Sequence, residues 1–356
     1  MQIIANPTRA KGLTLAGIPL PSTDAQAPAA LLARCPAHEV TPLVRATALE
    51  GGLNGAALYV KDERGRMGLG SFKALGAAYV IAHAAMAAMA AAATTPETSS
   101  DTALSGRTYV TASAGNHGMS VAAGARLFGA RAVIYLAETV PEAFALRLRD
   151  KGAEVVRAGH DYEASMQAAS EAAAREGWIL LSDSSWEGYT ELPHRLMQGY
   201  LAMAAEAVDQ MPEPPSHILL QAGVGGLAGA CAAFFRKAWG SAPRITIVEP
   251  EAAPALFESI RTGQAVETQG PVSIMGRLDC KAPSLIALRG LARDANEFAL
   301  ISEGEALAAL PLLAQAGLET TASGAAGVAA ALSDPAALGL GPSSRVLCIL
   351  SEGPEG

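Results

Sequence analysis

From about residue 107 onward, short β-branched runs alternate with alanine-rich segments of helical period. Thr108-Tyr109-Val110-Thr111 predicts a strand, residues 118–128 a helix, and Ala132-Val133-Ile134-Tyr135-Leu136 the next strand. The alternation continues through a helix over 141–151, the strand Glu154-Val155-Val156, a helix over 162–175 and the strand Trp178-Ile179-Leu180-Leu181-Ser182. A second series opens at His217-Ile218-Leu219-Leu220, passes through a glycine loop and a helix ending at Trp239, and returns with Arg244-Ile245-Thr246-Ile247-Val248. Such alternation predicts an α/β fold with parallel sheets flanked by helices. Two series imply two subdomains with a cleft between them: a large one built from residues 1–73 and 206–356, and a smaller α/β one from 74–205.

Residues 94–106 mix Thr, Ser, Pro, Glu and Asp without period and read as an exposed or disordered loop, and Pro212-Glu213-Pro214-Pro215 reads as a connector. With 356 residues, half of them hydrophobic, the chain can bury a substantial core. The apolar run over 80–93 is interrupted by His83 and is too short for a membrane span. Arg9 and Lys11 precede no sustained apolar stretch, which argues against a signal peptide. A net charge of -8, with Lys and Arg never clustered beyond pairs, disfavours nucleic acid as a partner. Cys35, Cys231, Cys280 and Cys348 form no CxxC pair, so they read as reduced thiols of a cytoplasmic protein and suggest no metal site.

Three junctions carry candidate chemistry. In Gly68-Leu69-Gly70-Ser71-Phe72-Lys73 a lysine follows a Gly/Ser loop and opens a small-residue helix, the setting in which an amine holds an aldehyde cofactor, pyridoxal phosphate, as an imine. Burial there is expected to lower the Lys73 pKa and leave it nucleophilic. Ser113-Ala114-Gly115-Asn116-His117 lies where a strand meets a helix, so its amides can take a substrate carboxylate and the Asn116 amide can reach the cofactor's phenolic oxygen. Gly223-Val224-Gly225-Gly226, between a strand and a helix, has the glycine density that cradles a phosphate. The spacing also resembles a dinucleotide loop, with Glu249 about 20 residues on as the one feature in favour of that reading.

The order of these three loops resembles the fold type II family of pyridoxal-phosphate enzymes, the tryptophan synthase β-like architecture that includes the serine and threonine dehydratases. The resemblance implies that Lys73 is the imine lysine, that Gly223, Val224, Gly225 and Gly226 bind the phosphate, and that Ser351 in Cys348-Ile349-Leu350-Ser351-Glu352-Gly353 faces the pyridine nitrogen. Within the family the chain is similar to the diaminopropionate ammonia-lyases. The resemblance rests on Asp183-Ser184-Ser185-Trp186-Glu187-Gly188-Tyr189, Met197-Gln198-Gly199-Tyr200, Ser273-Ile274-Met275 and the loops above. It implies β-elimination from 2,3-diaminopropionate or a similar short amino acid, a 2-oxo acid and ammonia as products, and a homodimer. Asp183 becomes a candidate base or a partner for the substrate's distal amine; its plainer role would be an N-cap for the following turn. A serine, threonine or 3-hydroxyaspartate dehydratase is the alternative; a β-replacement synthase or a non-catalytic cofactor-binding protein fits less well. Two departures bear on substrate: Ala114 stands where that family has an aspartate, and Thr321-Ala322-Ser323-Gly324-Ala325 lacks the acid of the family's Gly-Glu-Ser-Gly-Ala.

Overall fold

A computed structural model describes residues 1–92 and 99–354. In chain order the strands are β1 (Gln2–Ala5), β2 (Leu43–Arg45), β3 (Ala57–Asp62), β4 (Thr108–Ala112), β5 (Arg131–Leu136), β6 (Glu154–Arg157), β7 (Ile179–Leu180), β8 (His217–Gln221), β9 (Arg244–Pro250), β10 (Glu297–Ile301) and β11 (Arg345–Leu350). The helices are α1 (Gln26–Leu32), α2 (Lys73–Ala91), α3 (Asn116–Leu127), α4 (Glu142–Asp150), α5 (Tyr162–Glu176), α6 (Glu191–Gly199), α7 (Leu201–Gln210), α8 (Gly226–Trp239), α9 (Ala255–Thr262), α10 (Leu285–Asp294), α11 (Glu303–Gln315) and α12 (Ala322–Ser333).

Seven strands form one sheet in the order β1-β10-β9-β8-β11-β3-β2, and four form another in the order β6-β5-β4-β7. The smaller sheet is parallel throughout, as is the larger one from β10 to β3. The two edge strands of the larger sheet, β1 and β2, pair antiparallel. Buried runs such as Val346 to Leu350 in β11 need no polar alternation, because helices cover both faces. Neither edge strand was expected from the sequence: each is short, and its pairing partner is either remote or reached by a reversal. The expected strand at 178–182 is also shorter. Only Tyr109 and Val110 of β4 pair with it, opposite Ile179 and Leu180, and the chain then leaves the sheet.

Helix α2 is 19 residues long, enough by length and composition to cross a bilayer, so the run over 80–93 belongs to a longer apolar helix than its own span suggested. It packs against α3 and α6, with Leu75, Tyr79, Val80 and Ile81 buried, which is how a core helix behaves. The 205/206 boundary falls inside α7 and 73/74 in the first turn of α2, so the chain passes between the sheets through helices. The expected loop at 94–106 lies partly outside the described residues; residues 100–102 form a short 3-10 turn.

The loop leading to α2 is held by a buried ion network. Arg66 and Glu63 are wholly buried, and the guanidinium donates to Glu63 Oε2 at 2.7 Å, Glu206 Oε2 at 2.6 Å and Thr41 Oγ1 at 2.9 Å. Lys61 Nζ joins at 2.7 Å from Glu206 Oε2. Charges this deep persist only with every partner in place, so the network fixes the lysine loop against α7.

Candidate active site

The C-terminal ends of β3, β4, β8 and β11 feed four loops that meet at one place, as open parallel sheets commonly arrange their sites. Lys73 is the first residue of α2, where Phe72 occupies the N-cap and the Ser71 hydroxyl accepts from the Lys73 amide at 3.3 Å. The Lys73 ammonium pairs with Asp183 Oδ2, across 110 residues of sequence, and both side chains are mostly buried. No helix begins until Glu191, so Asp183 does not serve as a cap. Burial alone would lower the Lys73 pKa, but the Asp183 carboxylate outweighs it and holds the amine above its ordinary value. This reverses the direction expected from the sequence, which showed the burial and not the counter-ion. Burial likewise pushes Asp183 up, and the Lys73 ammonium outweighs it, holding the carboxyl well below the usual range.

The second loop opens α3 through Gly115, with no side chain capping the helix. Ser113 Oγ accepts from the Gly115 amide at 3.3 Å. Ala114 packs against the core edge, His117 is buried with Nε2 2.8 Å from the Leu181 carbonyl oxygen, and its Nδ1 has no partner among the described residues. Burial lowers the His117 pKa, with Asp183 and Lys73 the charges it senses.

The third loop is the turn into α8. Gly225 has φ +96° and is the N-cap, again without a side-chain cap, so the first amides of a 14-residue helix stay available. A Cβ on Gly223 would lie 3.0 Å from both the Arg277 carbonyl oxygen and Cys280 Sγ. The turn therefore requires glycine there and at Gly225 for separate reasons. Its remaining free amides suit a phosphate, and the lysine beside it suits the aldehyde of the same molecule.

Glu352, which the sequence reading left without a role, ties the loops together. Its carboxylate accepts from Asn116 Nδ2 and Thr321 Oγ1, and Arg277 Nε lies 3.6 Å from its Oε2. Arg277 also crosses to the second loop, where a Cβ on Gly115 would meet its Nε at 3.2 Å. Ser351 is buried next to Glu352, and its carbonyl accepts from the Phe72 amide at 3.1 Å. Ser351 thus abuts the lysine loop, and Glu352, bridged to Ser71, links that loop to Asn116. Tyr200 is a second residue the sequence reading missed: wholly buried, with a hydroxyl that makes no close hydrogen bond among the described residues and senses the charges of Lys73 and Asp183. Its signal was present in Met197-Gln198-Gly199-Tyr200 but pointed to no chemistry.

Trp186 and Tyr189 stack at 4.4 Å, and Tyr189 donates to the Leu180 carbonyl at 2.8 Å, bracing the Asp183 segment. Glu249 accepts from the amides of Leu256 at 2.8 Å and Phe257 at 2.7 Å, so it caps α9 and serves no dinucleotide. No cluster of His, Cys, Asp and Glu fit to hold a metal occurs among the described residues.

A family model described as pyridoxal-phosphate dependent enzyme matches residues 35–352. The diaminopropionate ammonia-lyase of Salmonella typhimurium is 35% identical over 292 residues, 78% of this chain and 71% of that one. The L-threonine ammonia-lyase of Geobacter sulfurreducens is 29% identical over 68% of this chain and 58% of its own length. The structure of the Escherichia coli diaminopropionate ammonia-lyase with an aminoacrylate-PLP azomethine intermediate superposes with a TM-score of 0.86 at 28% identity, covering 99% of this chain and 93% of that one. The same enzyme with D-serine gives 0.87 at 26% identity over the same shares. The chain belongs to the pyridoxal-phosphate dependent enzymes, and within them to the diaminopropionate ammonia-lyase family.

Proposed function

We propose that this chain removes ammonia by β-elimination from 2,3-diaminopropionate or a similar short β-substituted amino acid, giving a 2-oxo acid and ammonia. The observation that carries the reading is the Lys73 and Asp183 pair beside the uncapped turn at Gly225, in a chain of this family. Pyridoxal phosphate, when bound, draws the electron pair left at the substrate α-carbon into its ring. Lys73 is assigned to hold the cofactor and to carry a proton at Nζ, and Asp183 to keep that amine charged and oriented or to act as base itself.

Gly223, Val224, Gly225 and Gly226 would hold the phosphate through the amides that open α8. Ser113, Ala114, Gly115, Asn116 and His117 would hold the substrate carboxylate at the start of α3, with the second Asn116 amide proton directed to the phenolic oxygen of the cofactor. Ser351 would face the pyridine nitrogen. A neutral hydroxyl there limits the ring as an electron sink and favours elimination over transamination. A dehydratase would use the same loops with a hydroxyl as leaving group, and the weaker match to the threonine enzyme supports it less. Four free cysteines suit the cytoplasm, and the resemblance supports a homodimer whose larger, cofactor-binding subdomain comprises residues 1–73 and 206–356.

The test is release of ammonia and 2-oxo acid from both enantiomers of diaminopropionate, serine, threonine and 3-hydroxyaspartate. Diaminopropionate should be the best substrate; faster turnover of a hydroxy amino acid would move the assignment to the dehydratase. Lys73→Ala should abolish turnover with the circular dichroism unchanged. Borohydride reduction of the wild-type holoenzyme should label Lys73, and label on another lysine would overturn its role.

A further inference from the structure

Tyr200 follows directly on α6 and ends a sequence motif that the reading above leaves unused. Its ring meets the Phe72 ring edge-on, with centroids 4.9 Å apart and planes at 62°. Lys73 Nζ lies 5.4 Å from the centroid of the same Phe72 ring. The tyrosine ring and the lysine amine therefore flank one phenylalanine. One glycine makes room for this ring, since a Cβ on Gly76 of α2 would lie 2.6 Å from Tyr200 Cε1, while one on Gly226 of α8 would lie in ordinary contact at 3.7 Å from Cε2. Packing explains the ring but not its oxygen, which is buried, makes no close hydrogen bond among the described residues and has the Lys73 amine as the group it senses. A phenylalanine would fill the same space without stranding a hydroxyl.

We propose that Tyr200 is a positioning residue for Lys73: its buried hydroxyl keeps the amine directed at Asp183, in the orientation from which it exchanges a proton with substrate. The proposal rests on the reading of Lys73 as proton carrier. Asp183, from the segment after β7, pairs with that amine, and the other titratable groups within its electrostatic reach are His117 from α3, Tyr162 from the start of α5, Cys280 from the loop before α10, and Tyr200 itself. Asp183 supplies the charge. Burial holds the Tyr200 phenol protonated, so it contributes an oriented dipole and no charge of its own.

Tyr200→Phe removes the oxygen alone. In the holoenzyme it should lower kcat by about tenfold to a hundredfold with KM within about threefold, as expected for a misdirected reacting group. Its thermal midpoint should be equal to or above that of wild type, since a stranded hydroxyl is lost. The full chain stripped of cofactor provides a readout independent of turnover: the rate of reloading with pyridoxal phosphate, followed by visible absorbance across pH. In Tyr200→Phe the midpoint of that profile should move to lower pH, because the amine loses an oxygen that favours its charged form. Reloading involves no amino acid, so the shift tests Tyr200 even where the substrate assignment fails. An unchanged pH midpoint, an unchanged kcat or a lowered thermal midpoint each overturns the proposal.

Discussion

Ala114 places a methyl group in the loop expected to face the substrate, at a position where the resembled lyases have an acid. If carboxylates on opposite faces serve opposite enantiomers, this chain keeps one. We expect it to prefer the L enantiomer, with Lys73 or Asp183 as the surviving base, by about 10²–10⁴-fold, the usual contribution of a general base. Ala114→Asp should raise kcat/KM for the D form and spare the L form; equal wild-type kcat/KM for both would remove the basis for the argument. Lys73 and the glycine turn were legible in the sequence because each is a contiguous run whose chemistry depends on its neighbours. The Asp183 counter-ion was not, since 110 residues separate it from the amine whose pKa it reverses. Glu352 and Arg277 were invisible for the same reason: their roles arise from loops that meet only in the folded chain.

Helix entry organises the site at the scale of elements. Both α3 and α8 begin at a glycine that offers no side-chain cap, so the first amides of each helix are left to other acceptors. Gly225→Val places an L side chain at φ +96° and drives its Cβ toward Leu256 Cδ1 at 2.9 Å and the Ala287 Cβ at 3.0 Å. The clash is with α9 and α10 and not with the cradle itself, so the turn must move. Its cofactor dissociation constant should rise by more than about tenfold, alongside a stability loss of about 1–2 kcal/mol for the backbone strain. Titration of the stripped protein with pyridoxal phosphate and thermal melting check the two effects separately. Strands β4 to β9 and helices α2 to α5 and α8 were readable because parallel α/β units have a strong period, whereas the interior strands β3 and β10 were not read from the sequence. β1 and β2 were not, because a three- or four-residue edge strand carries too few positions to show one.

Buried charge sets how the whole molecule responds to pH. Burial pushes the Glu249 carboxyl up to about 8, with the Leu256 and Phe257 amides opposing only part of that rise. A carboxyl whose pKa is raised on folding binds its proton more tightly in the native state. Its contribution to stability is complete below its ordinary value of 4.5 and is lost as pH climbs through about 8. Glu249→Gln, which stays neutral but can accept only one of the two amides, should melt below wild type near pH 5 and close that difference progressively toward pH 9; an offset that stays constant across that window would show that Glu249 ionises freely in the fold.

The last strand of the sequence, β11, is also an interior strand of the larger sheet, with Cys348 opposite Val60 of β3 on one side and Leu219 of β8 on the other. The smaller sheet draws all four strands from residues 108–180 and can assemble from near neighbours. The larger one has to wait for β11 before β3 and β8 are joined. Folding of this chain is thus ordered by topology, with closure of the longest loops as the slow event. Until that closure, the loop ending in Lys73 and the turn at Gly225 sit on strands that do not yet share a sheet, so the two halves of the candidate site come together only when the last strand is in place.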